Sequence, residues 1–287
     1  MKTYTVAHSP DADDIFMYYA IKFGWVGDRK YKFLNKAEDI ETLNKKTLAN
    51  IYDVSAISFG AYPFLKDEYA LLRTAISFGY GYGPKLVKLK GKKLKPNFKV
   101  ALSGEYTTNA LIFKIYYPKA RIVYKNFLEI EEAVLSGEVD AGVLIHESIL
   151  TYNENLEVEK ELWDIWVELA GNRPLPLGGM AIRRSIPLLD AINIEEILTK
   201  AVDIANRHKT LLAKMLIERN LVRVDDKTLD KYLSLYANDK SITLDEEQIE
   251  SINKLYEIGH KAQLLPYMKD VREYMIPKEY KRLRFEA

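Results

Sequence analysis

The chain has 287 residues, with 42 basic and 41 acidic side chains, a net charge of +1 and no cysteine. Balanced charge argues against a nucleic-acid binder, which carries a clear basic excess. The lack of cysteine excludes disulfides, thiolate zinc sites, iron–sulfur clusters and a cysteine nucleophile. At 48% hydrophobic and 29% charged residues the composition is that of a globular protein, and the length is about twice the ~150 residues of one domain.

Residues 4–7 read as a short strand. His8, Ser9, Asp11, Asp13 and Asp14 follow and interrupt any apolar run of the ~7–15 residues that a secretory signal needs. No stretch approaches the ~20 apolar residues of a membrane span. These features predict a cytoplasmic protein with no membrane partner. In residues 14–23, Ile15, Tyr18, Tyr19 and Lys22 recur at helical spacing, with Asp13 as the expected N-cap. Residues 51–57 form a second strand signal. Residues 84–97, with Pro84, Gly91, Pro96 and a lysine cluster, read as a linker.

Residues 98–102 predict a strand leading through Ser103-Gly104-Glu105 into a helix from Thr107-Thr108 to 117. A strand over 121–124 and a helix over 127–136 follow, with Gly137 at the C-terminal cap. The apolar run 141–145 is the mark of a strand covered on both faces. Residues 171–179 again read as a linker. From 186 onward helical periodicity dominates, over 194–217 (broken), 226–236 and 245–262. Alternating strands and helices predict an α/β protein with a largely parallel sheet. A block entered through two linker-like crossings predicts two lobes with a hinge. One lobe comprises 1–90 and 180–287, and the inserted lobe comprises 91–179.

His146 falls just past the end of the apolar strand, where open α/β sheets place their ligand crevice. An imidazole with an ordinary pKa is a natural general base near neutral pH. The alternative is a surface or capping histidine. Asp11, Asp13 and Asp14 fall short of the ligand number of a calcium loop; helix capping and cleft lining account for them better than a metal. Thr107, Thr108 and Asn109 open a helix, where free N–H groups and hydroxyls suit a carboxylate or phosphate. A plain helix cap is the competing reading. Ser58 ends another strand and is placed to face Thr108 across a cleft. Gly79-Tyr80-Gly81-Tyr82-Gly83-Pro84 lacks phosphate-loop spacing and reads as backbone with unusual angles near the hinge. The seven lysines within 85–99 read as a solvated face.

Ser9-Pro10-Asp11-Ala12-Asp13-Asp14, Ser58-Phe59-Gly60-Ala61-Tyr62, Gly81-Tyr82-Gly83-Pro84, Thr107-Thr108, the run Ala141 to Ser148 with Thr151-Tyr152, and Leu175-Pro176-Leu177-Gly178-Gly179 occur together in this order. In these segments the chain resembles the 1,4-dihydroxy-6-naphthoate synthases of the futalosine route to menaquinone, within the MqnA/MqnD family. The resemblance covers nearly the whole chain, and its His-Glu-Ser block is the most specific part. It implies a periplasmic-binding-protein-like fold with a central cleft and a helical C-terminal part on the first lobe. It implies cleavage of carbon–carbon bonds in cyclic de-hypoxanthinyl futalosine without metal or organic cofactor, by a monomer or homodimer whose partner is this small molecule. The family's catalytic histidine falls on His146. Its substrate contacts fall on Ala56, Ile57 and Ser58 and on Thr107, Thr108 and Asn109. Many members read Ser-Pro-Cys-Pro-Asn-Asp at residues 9–14 and Ala at Asn109. Chorismate dehydratase shares the fold but is not expected to carry the His-Glu-Ser block.

Overall fold

The computed structural model describes residues 1–222 and 224–281; residues 282–287 of the expected first lobe lie outside them. Strand β1 (Lys2–His8) sinks Val6 and Ala7 into the core and ends at buried His8. Helix α1 (Ala12–Lys22) follows and buries Ile15, Phe16 and Met17. Its N-cap position is Asp11 rather than Asp13, and the Asp11 side chain makes no capping bond. The N–H of Ala12 instead donates to the Glu147 carboxylate at 2.9 Å. A cap supplied from so far along the chain leaves no local sequence signal. Strand β2 (Tyr31–Ala37), helix α2 (Ile40–Leu48) and the wholly buried β3 (Val54–Ser58) complete a unit in which β1 pairs in parallel with β2 and β3. Short strands β4 (Tyr69–Leu71) and β5 (Ser77–Gly79) end this segment.

The chain then enters a second sheet. It contributes β6 (Lys85–Leu89), β7 (Lys99–Leu102), α3 (Thr108–Tyr116), β8 (Arg121–Tyr124), α4 (Ile130–Leu135), β9 (Ala141–Leu144), α5 (Ser148–Thr151), β10 (Leu156–Glu161) and α6 (Leu162–Ala170), with strand order β10-β6-β9-β7-β8. Strand β11 (Leu175–Arg183) returns to the first sheet, whose order is β2-β1-β3-β11-β4 with β5 beside β11. Helices α7 (Leu188–Arg207), α8 (Lys209–Glu218), α9 (Asp226–Tyr236) and α10 (Glu246–Lys261) follow, and α7, α8 and α9 pack on α1. The helical stretch expected over 194–217 breaks at His208.

Two sequence readings change. Residues 85–89, taken as lysine-rich linker, are an inner strand: Leu86 and Val87 are fully buried, while Lys85 and Lys88 reach Glu161, Glu157 and Glu159 on the neighbouring β10. Paired lysines on a strand look like a solvated face when their partners are distant in sequence. Residues 175–179 belong to β11 despite Pro176 and two glycines, and a register shift between Pro176 and Gly178 accommodates them against β5. Both sheets are mixed: parallel around β1 and β7, antiparallel where β11, β6 and β10 join. Near the crossing, Gly81 adopts φ +81, as the glycine-rich segment required.

Candidate active site

Strand β9 ends at Leu144, and two residues later His146 sits at φ +56. A non-glycine residue held in this left-handed region is uncommon and concentrates at functional sites. The ring packs edge-on against Phe127, with centroids 4.9 Å apart. Its Nε2 lies 3.0 Å from Oδ2 of Asp11, which is wholly buried on the opposite lobe. At this distance the carboxylate favours a hydrogen on Nε2 and forms an ion pair with the ring once it is charged. Burial alone would lower the imidazole pKa. The Asp11 carboxylate outweighs it, with help from Glu147 and Asp13, and raises the value to about 9. The ordinary histidine pKa expected from sequence gives way to a paired, charge-holding one.

The acids around the start of α1 form one cluster with this pair. Burial raises Asp13 well above the usual carboxylate value, and Asp14 adds to the effect while His146 opposes it. Burial also raises Asp14, against the opposing pull of His8 and of the Ser9 N–H, which donates to Asp14 at 2.8 Å. Tyr232 of α9 donates to Asp13 Oδ1 at 3.3 Å, and burial followed by the Asp13 charge holds its phenol well above its ordinary value. Among the described residues no group of three or more His, Cys, Asp or Glu side chains is arranged to hold a metal ion.

A second set of cleft residues is neutral. Ser58 is fixed by Asn44, whose Oδ1 accepts from the Ser58 N–H at 2.9 Å and whose Nδ2 donates to the Ser58 hydroxyl at 3.0 Å. Thr107 caps α3 by accepting from the Ala110 N–H. Asn109 Nδ2 donates to the Ser103 hydroxyl at 3.3 Å. Thr108 joins the lobes: its hydroxyl accepts from the Gly60 N–H at 2.9 Å and donates to the Leu177 carbonyl at 2.6 Å. A Cβ on Gly60 would stand 3.1 Å from the Thr108 Cα, so glycine is what lets these backbones meet. Glu41 of α2 makes a further crossing by accepting from the Tyr106 N–H at 3.1 Å.

His146, Ala56, Ile57, Ser58, Thr107, Thr108 and Asn109 all line one interlobe cavity of about 100 Å³. Asp13, Asp14 and Ser9 line it as well, with Gly178 and Gly179 of β11. Sequence reasoning missed Tyr232 and Tyr236, which close the cavity from α9, and Ile40, Ala75 and Ser77. Two tyrosines four residues apart on an amphipathic helix look like ordinary core. The Asp11–His146 pairing also left no trace in sequence. No helix among the described residues is long and apolar enough to cross a membrane.

Two α/β lobes closing on a site between them define a periplasmic-binding-protein-like fold. The chain belongs to the menaquinone biosynthesis family, whose model matches residues 4–261. A Thermus thermophilus protein named 1,4-dihydroxy-6-naphthoate synthase is 28% identical over 263 residues, 89% of this chain and 93% of that one. A Streptomyces coelicolor protein of the same name is 27% identical over 271 residues, 92% of this chain and 95% of that one. A crystal structure of an Archaeoglobus fulgidus protein is 34% identical, with a TM-score of 0.85 over 92% of this chain and 98% of that one. The alkanesulfonate-binding protein of Xanthomonas axonopodis pv. citri, solved with MOPS bound, shares the fold alone, at 12% identity and a TM-score of 0.69 over 95% of this chain and 97% of that one.

Proposed function

We propose that the protein forms 1,4-dihydroxy-6-naphthoate from cyclic de-hypoxanthinyl futalosine, as a cytoplasmic carbon–carbon lyase. The observation that carries this reading is the histidine sharing one interlobe cavity with Ser58, Thr107, Thr108 and Asn109, in a chain whose relatives bear that enzyme's name. His146, in its neutral form, takes the proton from a hydroxyl of the sugar-derived ring. The oxygen's electron pair forms a carbonyl as the adjacent carbon–carbon bond breaks, in a retro-aldol cleavage. The imidazolium then returns its proton, and elimination and tautomerisation are drawn forward by formation of the aromatic naphthalene. A general base contributes about 10²–10⁴-fold to such a step.

Ser58, Asn109 and the first-turn N–H groups of α3 hold the substrate's carboxylate or hydroxyls in this scheme. Sites for ligands of this size are about 300–1,000 Å³, and a cavity of about 100 Å³ fits a closed form of a cleft that opens for entry. Closure keeps water from reactive intermediates. The test is incubation of the purified protein with cyclic de-hypoxanthinyl futalosine and, in parallel, with chorismate. Fluorescent naphthoate is expected from the first. Formation of 3-enolpyruvylbenzoate from chorismate would replace this reading with a dehydratase, and binding without turnover would replace it with a solute carrier.

A further inference from the structure

We propose that Asp11 is a positioning residue for His146: from the opposite lobe its carboxylate engages Nε2 of the ring and leaves Nδ1 as the nitrogen that meets substrate. The kinetic consequence rests on the reading of His146 as the base, but the pairing itself does not.

The first turn of α1 is capped from the other lobe. Asp11 stands at the N-cap position of α1 with extended backbone, the ordinary setting for an aspartate that bonds the first turn, yet it makes no such bond. Glu147 takes that place from the other lobe by accepting from the Ala12 N–H at 2.9 Å. The Asp11 carboxylate is thereby turned to His146, 3.0 Å away. The two crossings are built from adjacent residues, Asp11 with Ala12 and His146 with Glu147, so they form together when the lobes meet. His146 has little freedom to answer otherwise, since its backbone is left-handed and Phe127 lies against its ring.

The other titratable groups around the ring do not substitute for Asp11. Asp13, on the first turn of α1, is itself held toward its protonated form by burial and by Asp14. Tyr232, facing from α9, is held in its neutral phenol form. Glu147, on the histidine's own turn, is engaged by the Ala12 N–H. Asp11 is therefore the carboxylate that fixes which ring nitrogen carries the hydrogen, and it raises the basicity of the other.

The test is ¹⁵N NMR of the protein labelled at histidine, with His146 assigned by loss of its signals in His146→Gln. In the wild type the neutral ring is expected to carry its hydrogen on Nε2 and to titrate near 9. In Asp11→Asn the midpoint should fall by about 1–3 pH units, with both tautomers populated. Asp11→Ala should behave alike, which guards against a folding defect peculiar to one variant. With substrate, Asp11→Asn should lower kcat more than it changes KM, and the acid limb of the pH profile should move with the NMR midpoint. A midpoint and tautomer unchanged in both variants overturns the proposal. If the wild type makes no naphthoate while the NMR shifts appear, the proposed function fails and the pairing stands.

Discussion

The two lobes bring the same device to the cleft, a helix N-terminus at the end of a strand, and equip it in opposite ways. At α1 the first turn is crowded with resident acids: Asp11, Asp13, Asp14 and, from across the cleft, Glu147. At α3 the cap is the neutral Thr107, and the first turn carries no acid. A helix N-terminus favours negative charge. At α1 that preference is already met by the protein's own acids, which stand against His146. At α3 it remains available to a carboxylate brought by a ligand. In the proposed reaction one lobe thus supplies a proton acceptor's environment and the other an anion's seat.

Removing the imidazole breaks the first half of this contrast and has the largest expected effect. His146→Ala should lower kcat by about 10²–10⁴-fold with little change in KM, read from naphthoate fluorescence. In the wild type, kcat/KM should climb with pH and level off above about 9, because below that value the imidazole keeps its proton. A profile that instead falls through the same range would make His146 an acid. Next in size is Gly60→Val, which places carbon against the Thr108 backbone and holds the halves apart. A misplacement of about 1 Å costs on the order of 10²-fold in kcat/KM, and small-angle scattering should register the wider form.

The neutral half responds more mildly. Ser58→Ala removes one hydroxyl and should raise KM about two- to tenfold at nearly constant kcat, the scale of one hydrogen bond. The smallest effect concerns stability. Burial raises the Asp13 pKa, so the folded protein keeps a proton that the unfolded chain has lost. The stability Asp13 confers therefore falls as pH rises above the free-carboxylate range. Asp13→Asn preserves the shape of the neutral acid and should raise the Tm near neutral pH by about 2–4 °C, with no such gain below pH 3.8. His146 has a dependence of the same sign, at higher pH. Its raised value means that pairing with Asp11 supports the fold fully below 6.5 and ceases to do so as pH passes about 9, so Asp11→Asn should cost more Tm in mild acid than in base.

Much of this was visible in sequence, for local reasons. The strand ending at Leu144, the helix opened by Thr107 and the helix Asp226–Tyr236 follow apolar spacing and capping residues that act within a few positions. Strand β6 was hidden because its lysines are neutralised by glutamates about seventy residues later. Strand β11 was hidden because proline and paired glycines normally mark a linker. Of the cleft, Ser58, Thr107 and His146 were legible as polar residues at element ends. Tyr232 was not, since burial beside Asp13 depends on α9 folding back over α1.

By itself the sequence determined the alternation of elements, the polar ends of the strands and the presence of a lone histidine after a buried strand, because each follows from side-chain periodicity over neighbouring residues. The tertiary structure alone decided what that histidine is. Nothing in the spacing of Asp11 and His146 brings them within 3.0 Å; the meeting of two lobes does, and in that buried place a nearby carboxylate outweighs the cost of holding a charged ring away from water.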